Sequence, residues 1–193
     1  MPRSKCDFTS ETGYENFFVA LRNNGERVKI CYNNFMEKKT AAKKFGPWGF
    51  FNSPFSGDTL SIVDCEVTVL ASIHLRADLD SYGDKNTTYT YAPHSPRGLG
   101  GVAGSSTGRP QVRGAILSHE RGHASAFLDV LIPKFKAELQ KFGNRKLSAS
   151  DMAEIRRIYD RCRSEAQAES SRRANDAHEN WYRNNGFNLQ IRR

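Results

Sequence analysis

The chain has 193 residues, 38% of them hydrophobic, and 29 Lys and Arg against 21 Asp and Glu give it a formal net charge of +8. Its 12 Phe, 7 Tyr and 2 Trp supply enough large apolar surface for a folded core, which excludes an intrinsically disordered chain. No apolar run approaches the roughly 20 residues of a membrane-spanning helix, so we expect no membrane span and a single domain over residues 1–193.

Residues 1–80 are predicted to be rich in strands. Segment 28–32 has the composition of a strand, and the Lys- and Ala-rich segment 36–45 is predicted to be a short helix. From residue 65 to residue 79 the odd positions are apolar or small and the even positions are mostly polar. A period of two is typical of a strand with one buried face, so this segment is the clearest strand in the sequence.

Residues 81–113 are rich in Gly, Ser and Thr and show little apolar periodicity. We therefore expect a long loop, or a loose hairpin around residues 87–91. Loops of this length inside compact domains are usually functional or mobile. This one directly precedes the next predicted helix, so we expect it to shape or cover a cleft.

The first of two long helices is predicted over residues 114–142. Apolar residues recur there at spacings of three and four, and Pro133 or Gly143 is the expected point of interruption.

The second long helix is predicted over residues 148–183. It is expected to begin near Ser148 or Ser150, with Glu154 as the capping-box partner of Ser150 or Asp151. Strands first and two long helices last predict the α+β class.

The first predicted helix carries the pattern HExxH, which here is His119-Glu120-Arg121-Gly122-His123. Two His one turn apart share a helix face, so both imidazoles can reach one Zn²⁺ at about 2.0–2.1 Å. Glu120 would then lie close enough to take a proton from a reacting water as general base. Composition alone gives this pattern an expectation on the order of 0.7%, so we interpret it as a zinc motif.

Gly122 is unusual inside this helix. Glycine costs about 1 kcal/mol relative to alanine in a helix interior, and close packing against a strand would explain its presence.

A catalytic zinc requires a third protein ligand and an open fourth position. His178, which borders the apolar stripe of the second helix, is the preferred candidate. Glu165 and Glu169 on the opposite flank of the stripe are alternatives. Asp129 is a further alternative, because the string HERGHASAFLD places it where some HExxH proteins carry a ligand.

Tyr182 lies one turn beyond His178 and is predicted to face the same cleft. A phenol in that position would stabilise the oxyanion of a tetrahedral intermediate. The alternative for Tyr182 is a packing role beside Trp181.

These motifs together resemble the zincin metallopeptidases, and more narrowly a bacterial family of uncharacterised, predicted exported zinc-dependent proteases. The resemblance rests on the Cys-led strand 65–69, the HERGHA helix at 119–124 and the long helix that carries His178 before Gly186. It implies a zincin-like fold in which a twisted N-terminal sheet packs on the active-site helix. It also implies Zn²⁺ on His119, His123 and His178, hydrolysis of protein or peptide substrates, and a secreted or periplasmic location.

Two other functions remain open at this stage. The charge is distributed as 0 over residues 1–80, +3 over 81–113, −1 over 114–133 and +6 over 134–193. The basic C-terminal third therefore suggests a binding module for nucleic acid or an anionic envelope polymer. A catalytically inactive zinc-binding homologue is the second alternative.

The four cysteines are widely spaced, which argues against a cysteine zinc knuckle and permits two disulfides. The first residues contain no apolar core of a signal peptide.

Overall fold

The computed structural model describes residues 15–22, 28–33, 49–52, 60–63, 66–75, 79, 83–91, 93, 112–143 and 145–191. The helix predicted at 36–45 and most of the loop predicted over 81–113 lie outside these residues. The chain is α+β, with strands in its first half and helices in its second half. The strands in chain order are β1 (Glu15–Arg22), β2 (Val28–Asn33), β3 (Gly49–Asn52), β4 (Leu60–Val63), β5 (Glu66–Leu75), β6 (Thr88–Tyr91) and β7 (Asn188–Ile191).

Strand β5 is the centre of a five-stranded antiparallel sheet. It pairs with β1 along one edge and with β3 and β4 along the other, while β2 extends the sheet beyond β1. The side chains of Val67, Val69, Ile73 and Leu75 are buried in the main core. This confirms the buried odd positions predicted for the strand, because alternate side chains of a strand point to one face.

A second, two-stranded sheet joins β6 to β7 in parallel, with Tyr91 opposite Ile191. The loose hairpin predicted around residues 87–91 is therefore wrong. The partner of β6 lies near the end of the chain, where no strand is predicted from the sequence. Two strands of only four residues carry a weak local signal, and the pairing depends on where the long helices bring the chain.

The first helical run continues without a break from residue 113 to residue 142. It comprises α1 (Arg113–Ala126), a π-helical turn (Phe127–Leu131), α2 (Ile132–Leu139) and a 3₁₀ turn (Gln140–Phe142). Pro133 does not end the run, because it lies in the first turn of α2 directly after the wider π turn, where a missing N–H is tolerated. The run ends at Gly143, whose φ of 62° suits glycine.

The second long helix, α3 (Ala149–Asn184), begins at the N-cap Ser148. Ser148 and Asp151 form a capping box, and Arg145 also holds the Asp151 carboxylate. These hydrogen bonds, that from Arg145 above all, hold the pKa of Asp151 well below its usual range. The predicted capping role of Glu154 is therefore wrong, and its carboxylate instead forms ion pairs with side chains of the first helical run and of α3.

Helix α3 ends at Asn184, one residue beyond the predicted bound of 183, and Gly186 with φ of 71° follows it. None of the helices in the described residues has both the length and the apolar character to cross a membrane.

The first helical run and α3 pack side by side in an antiparallel arrangement. Residues near the start of the first run contact the end of α3, and residues near its end contact the first half of α3. The contacting pairs are Gly114 with Trp181, Gly122 with Ala174, and Glu138 with Arg161. The buried residues of α3 include Ile155, Tyr159, Cys162, Ala166, Ser170 and Ala174. Farther along the helix, His178 and Tyr182 are buried, whereas Ala177 and Trp181 are only half-buried.

Gly122 lies where the two helices approach most closely. A Cβ added there would stand 2.5 Å from the Cα of Ala174 and 2.7 Å from the carbonyl oxygen of Arg173. These neighbours are backbone atoms of α3, and they cannot move away by a change of side-chain rotamer. The reason for the glycine is therefore contact with α3 rather than with a strand.

The described residues form two apolar clusters. The larger joins β5, the first helical run and the N-terminal half of α3. It includes Cys162, a buried free thiol, so the chain does not form two disulfides within itself. The smaller cluster joins β6, the start of α1 and the end of α3 through Tyr89, Val112, Ala115, Tyr182 and Phe187.

We expect Gly122→Ala to destabilise the protein by about 1–3 kcal/mol, the usual cost of overpacking. Helix propensity alone predicts the opposite sign, a gain of about 1 kcal/mol. The measurement is urea unfolding of both proteins. The exposed position Ala153, changed to glycine, calibrates the propensity contribution, and a Gly122→Ala protein that is more stable than wild type would contradict the close approach.

Candidate functional site

The HExxH motif occupies the inner face of α1. His119 and Glu120 are each only 4% exposed, and His123 is half-buried in the next turn. The imidazole centroids of His119 and His123 are 4.9 Å apart. This confirms the expectation that both rings share one helix face, because residues four apart in a helix are neighbours.

His178 of α3 completes a cluster of three imidazoles. It is 2% exposed, and its ring centroid lies 5.6 Å from that of His119. The two residues are far apart in the chain and meet only because the helices run antiparallel. A burial this complete is uncommon for a histidine, since a polar ring that loses water must find compensating contacts.

The other candidate ligands are held elsewhere by ion pairs. Glu165 pairs with Lys134 at 3.2 Å on the surface. The carboxylate of Glu169 binds the guanidinium groups of Arg172 and Arg173, and these hydrogen bonds lower its pKa to about 2.

Asp129 is on the π turn, where its exposed carboxylate accepts a 2.7 Å hydrogen bond from Arg173. Of the four candidates for the third position, His178 is the one that the structure brings to the HExxH imidazoles.

Two polar side chains form hydrogen bonds with imidazoles of the cluster. Nδ1 of His123 lies 2.8 Å from Oγ of Ser170, a fully buried residue of α3. Oη of Tyr91, at the end of β6, lies 3.3 Å from Nδ1 of His119. Contacts of this kind on Nδ1 orient an imidazole and direct its Nε2 to the opposite side, as in many metal sites.

Tyr91 makes two further contacts. Its hydroxyl donates a 2.6 Å hydrogen bond to Oδ1 of Asn175. Its ring stacks on His178 with centroids 4.0 Å apart and an interplanar angle of 13°. One side chain thus contacts His119 through its hydroxyl and His178 through its face.

The surroundings of Tyr91 keep its hydroxyl protonated. Burial is the largest cause, and the nearby carboxylates of Glu179, Glu120 and Asp176 add to it, so the pKa of Tyr91 is raised well above its usual value. Glu120 thus acts electrostatically on Tyr91, the residue that contacts both His119 and His178.

Tyr182 is 1% exposed and belongs to the smaller apolar cluster. Its ring centroid is 5.2 Å from that of His178 and 5.1 Å from that of Tyr89. Burial raises the pKa of Tyr182, and a backbone hydrogen bond from Val112 lowers it by less. The structure places Tyr182 next to the site as predicted but within packed aromatic rings, and its part in oxyanion stabilisation stays a prediction.

Imidazoles are ligands that Zn²⁺ prefers, and two of the three spacings in the cluster, those of His119 with His123 and with His178, are close to what a shared ion requires. With Zn–N bonds of about 2.0–2.1 Å and tetrahedral angles, imidazole centroids are expected about 5.2 Å apart. The observed centroid distances of 4.9 Å and 5.6 Å lie on either side of that value.

As the side chains stand, no group of three or more His, Cys, Asp or Glu among the described residues is arranged to hold a metal ion. Shared coordination would therefore require the three side chains to rearrange around the ion.

The basic side chains of the C-terminal third are largely paired with carboxylates where the structure describes them. Arg161 binds Glu138 across the two helices, and Arg172 and Arg173 share Glu169. Further pairs lie along the surface of the helices and involve Lys134, Lys141, Arg145, Arg157, Arg163 and Arg183. This pairing favours a solvated helix surface over a face that is dedicated to an anionic polymer.

Sequence reasoning missed Tyr91, Ser170 and Asn175 as parts of the site. Ser170 carried a usable signal, since a small polar residue in an apolar stripe has to find a hydrogen-bond partner when buried. Tyr91 carried none, because its position depends on the parallel pairing of β6 with the end of the chain.

Comparison with protein-family models, with curated proteins and with solved structures gives no match for this chain.

The ion pairs of Glu169 predict a dependence of stability on pH. Its pKa falls from 4.5 to about 2 in the folded protein, so its contribution is present above about pH 4.5 and is lost as the pH falls toward 2. At pH 7 we expect Glu169→Gln to cost up to about 1 kcal/mol, the range for exposed pairs. Urea unfolding at pH 7, 5 and 3 should show the difference from wild type shrinking. A difference that grows toward pH 3 would contradict this assignment.

Proposed function

We propose that the protein is a zinc-dependent metallopeptidase with a zincin-like arrangement, in which His119, His123 and His178 hold Zn²⁺ and Glu120 is the general base. The observation that carries the proposal is the meeting of His178 with His119, the first imidazole of the HExxH motif, within the protein interior. The resemblance to zincins expected that third ligand on a following helix. A helix-borne pair of histidines with a surface role would have no reason to bury a third beside it.

The architecture around the cluster supports the same proposal. The buried face of β5 and the inner face of α1 belong to one apolar core. Strand β3, at the end of the strand order, contacts α1. The edge strand beside the active-site helix is where the resemblance to zincins expects an extended peptide to pair with the sheet.

In this mechanism each residue of the site has a separate role in peptide hydrolysis. When bound, Zn²⁺ polarises a carbonyl group and lowers the pKa of water to about 7. Glu120 takes the proton of the attacking water on its carboxylate and returns it to the nitrogen of the leaving amine. Ser170 and Tyr91 orient the imidazoles of His123 and His119 through Nδ1, and the packed rings near His178 limit access of bulk water on that side.

The burial of Glu120 supports this role. Its side chain is 4% exposed and follows His119 directly in the chain. Away from bulk water, the carboxylate would exchange a proton with the reacting groups rather than with solvent.

The binding of an anionic polymer through residues 134–193 remains the alternative from a different class. It predicts affinity that falls steeply with salt and no dependence on the imidazole cluster. A zinc-binding but inactive homologue predicts metal without hydrolysis. The two experiments below separate both alternatives from the peptidase.

We expect the purified protein to hold one zinc per chain by elemental analysis. His119→Ala and His178→Ala should each lose it, because two imidazoles alone bind the ion weakly. Asp129→Asn and Glu169→Gln are the matched controls and should keep it. Zinc that is lost in His119→Ala but retained in His178→Ala would move the third ligand to a carboxylate.

We expect Glu120→Gln to reduce hydrolysis of an unfolded protein substrate by about 10²–10⁴-fold, the usual contribution of a general base. The amide has the size of the carboxylate but cannot accept the proton, so zinc content should be unchanged. Glu165→Gln, an exposed carboxylate on α3, serves as the control with full activity. A Glu120→Gln protein that retains full hydrolytic activity would exclude this mechanism.

A further inference from the structure

We propose that Tyr91 and Asn175 form a relay that fixes His119 as the tautomer with its proton on Nδ1 and its lone pair on Nε2. The inference deepens the proposed function and rests on it in one respect, that Nε2 of His119 is the atom that meets the metal. Tyr91 is then a positioning residue that acts through His119.

The direction of the relay follows from counting protons. A neutral Tyr91 hydroxyl has one proton, and Oδ1 of Asn175 has none, so the 2.6 Å contact between them requires Tyr91 to donate. Toward His119, the Tyr91 oxygen can then only accept. The 3.3 Å contact with Nδ1 is therefore an Nδ1–H group donating to Oη of Tyr91. A neutral imidazole with its proton on Nδ1 carries its lone pair on Nε2.

The relay is held from several directions. The ring of Tyr91 is stacked on His178 at 4.0 Å, so the hydroxyl cannot swing away without breaking that stack. Its backbone is paired with β7, opposite Ile191. Asn175 lies on α3, one turn before His178. Both ends of the relay are thus attached to the helix that supplies the third imidazole, and the relay and the cluster assemble together.

This arrangement reverses an intrinsic preference. A neutral histidine side chain in water favours the proton on Nε2, the nitrogen that the metal needs unprotonated. A hydrogen-bond acceptor fixed at Nδ1 shifts the tautomer before any metal arrives, so that less of the binding free energy is used to select it. Partners of this kind typically change metal affinity by about 10–100-fold when they are removed.

The test uses the full chain at pH 8, free of metal and labelled with ¹⁵N. Long-range ¹H–¹⁵N spectra report which nitrogen of each histidine carries the proton, and His119→Gln identifies the signals of His119. In the wild-type protein we expect the proton on Nδ1 of His119. In Tyr91→Phe, which keeps the ring and its stack but lacks the hydroxyl, the signals should shift toward the Nε2–H form.

Two further variants make the result specific. Asn175→Ala should shift the tautomer as Tyr91→Phe does, whereas Asn175→Asp keeps an acceptor oxygen and should restore the wild-type signals. Tyr89→Phe is the matched control, since it removes a hydroxyl from the same strand that contacts the backbone N–H of Asp84 instead. A purely structural loss would alter all of these proteins alike.

Titration of the same proteins with Zn²⁺ alone, in competition with a chelator, supplies the second readout. We expect Tyr91→Phe to weaken zinc binding by about 10–100-fold and Tyr89→Phe to leave it unchanged. A wild-type His119 with its proton on Nε2, or a tautomer unaltered in both Tyr91→Phe and Asn175→Ala, would overturn the relay. The expected tautomer in a protein that binds no zinc would support the relay and refute the proposed function, so the two failures are distinguishable.

Discussion

The site depends on one packing constraint, the contact between the backbones of α1 and α3 at Gly122. A Cβ at that position would stand 2.5 Å from Ala174, so only glycine lets the helices lie this close. His119 and His123 flank the contact on α1, while Ser170 and His178 flank it on α3. Their side chains are short, and they meet because the helix axes are closer than ordinary side chains would permit.

Burying this many polar groups has a cost that the site must offset. Histidine, serine and asparagine lose water when they enter the interior, and each then requires partners. Here the groups satisfy one another, through Ser170 on His123 and through Tyr91 on His119 and Asn175. Such a network ties the helix register to the chemistry, because a slip of one residue between the helices would separate His123 from Ser170.

The last strand, β7, positions the tyrosines of β6 at the site. Strand β7 follows α3 after the turn at Gly186 and pairs with β6, which carries Tyr89 into the smaller apolar cluster and Tyr91 onto His178. The aromatic rings around Tyr182 fill the space between β6 and the two helices. Residues from three distant parts of the chain therefore assemble the surroundings of one imidazole cluster, and none of them carries a motif.

The sequence by itself determined what periodicity and local chemistry can encode: the buried face of β5, the two long helices, the end of α3 at residues 184–186, and the shared face of His119 and His123. It also singled out His178, but left Glu165, Glu169 and Asp129 open. Only the tertiary structure showed that His178 lies beside His119 while the three carboxylates form ion pairs elsewhere, because such contacts leave no periodic trace in the chain. The pairing of β6 with β7 and the roles of Tyr91 and Ser170 likewise depend on contacts between residues whose separation no local pattern records.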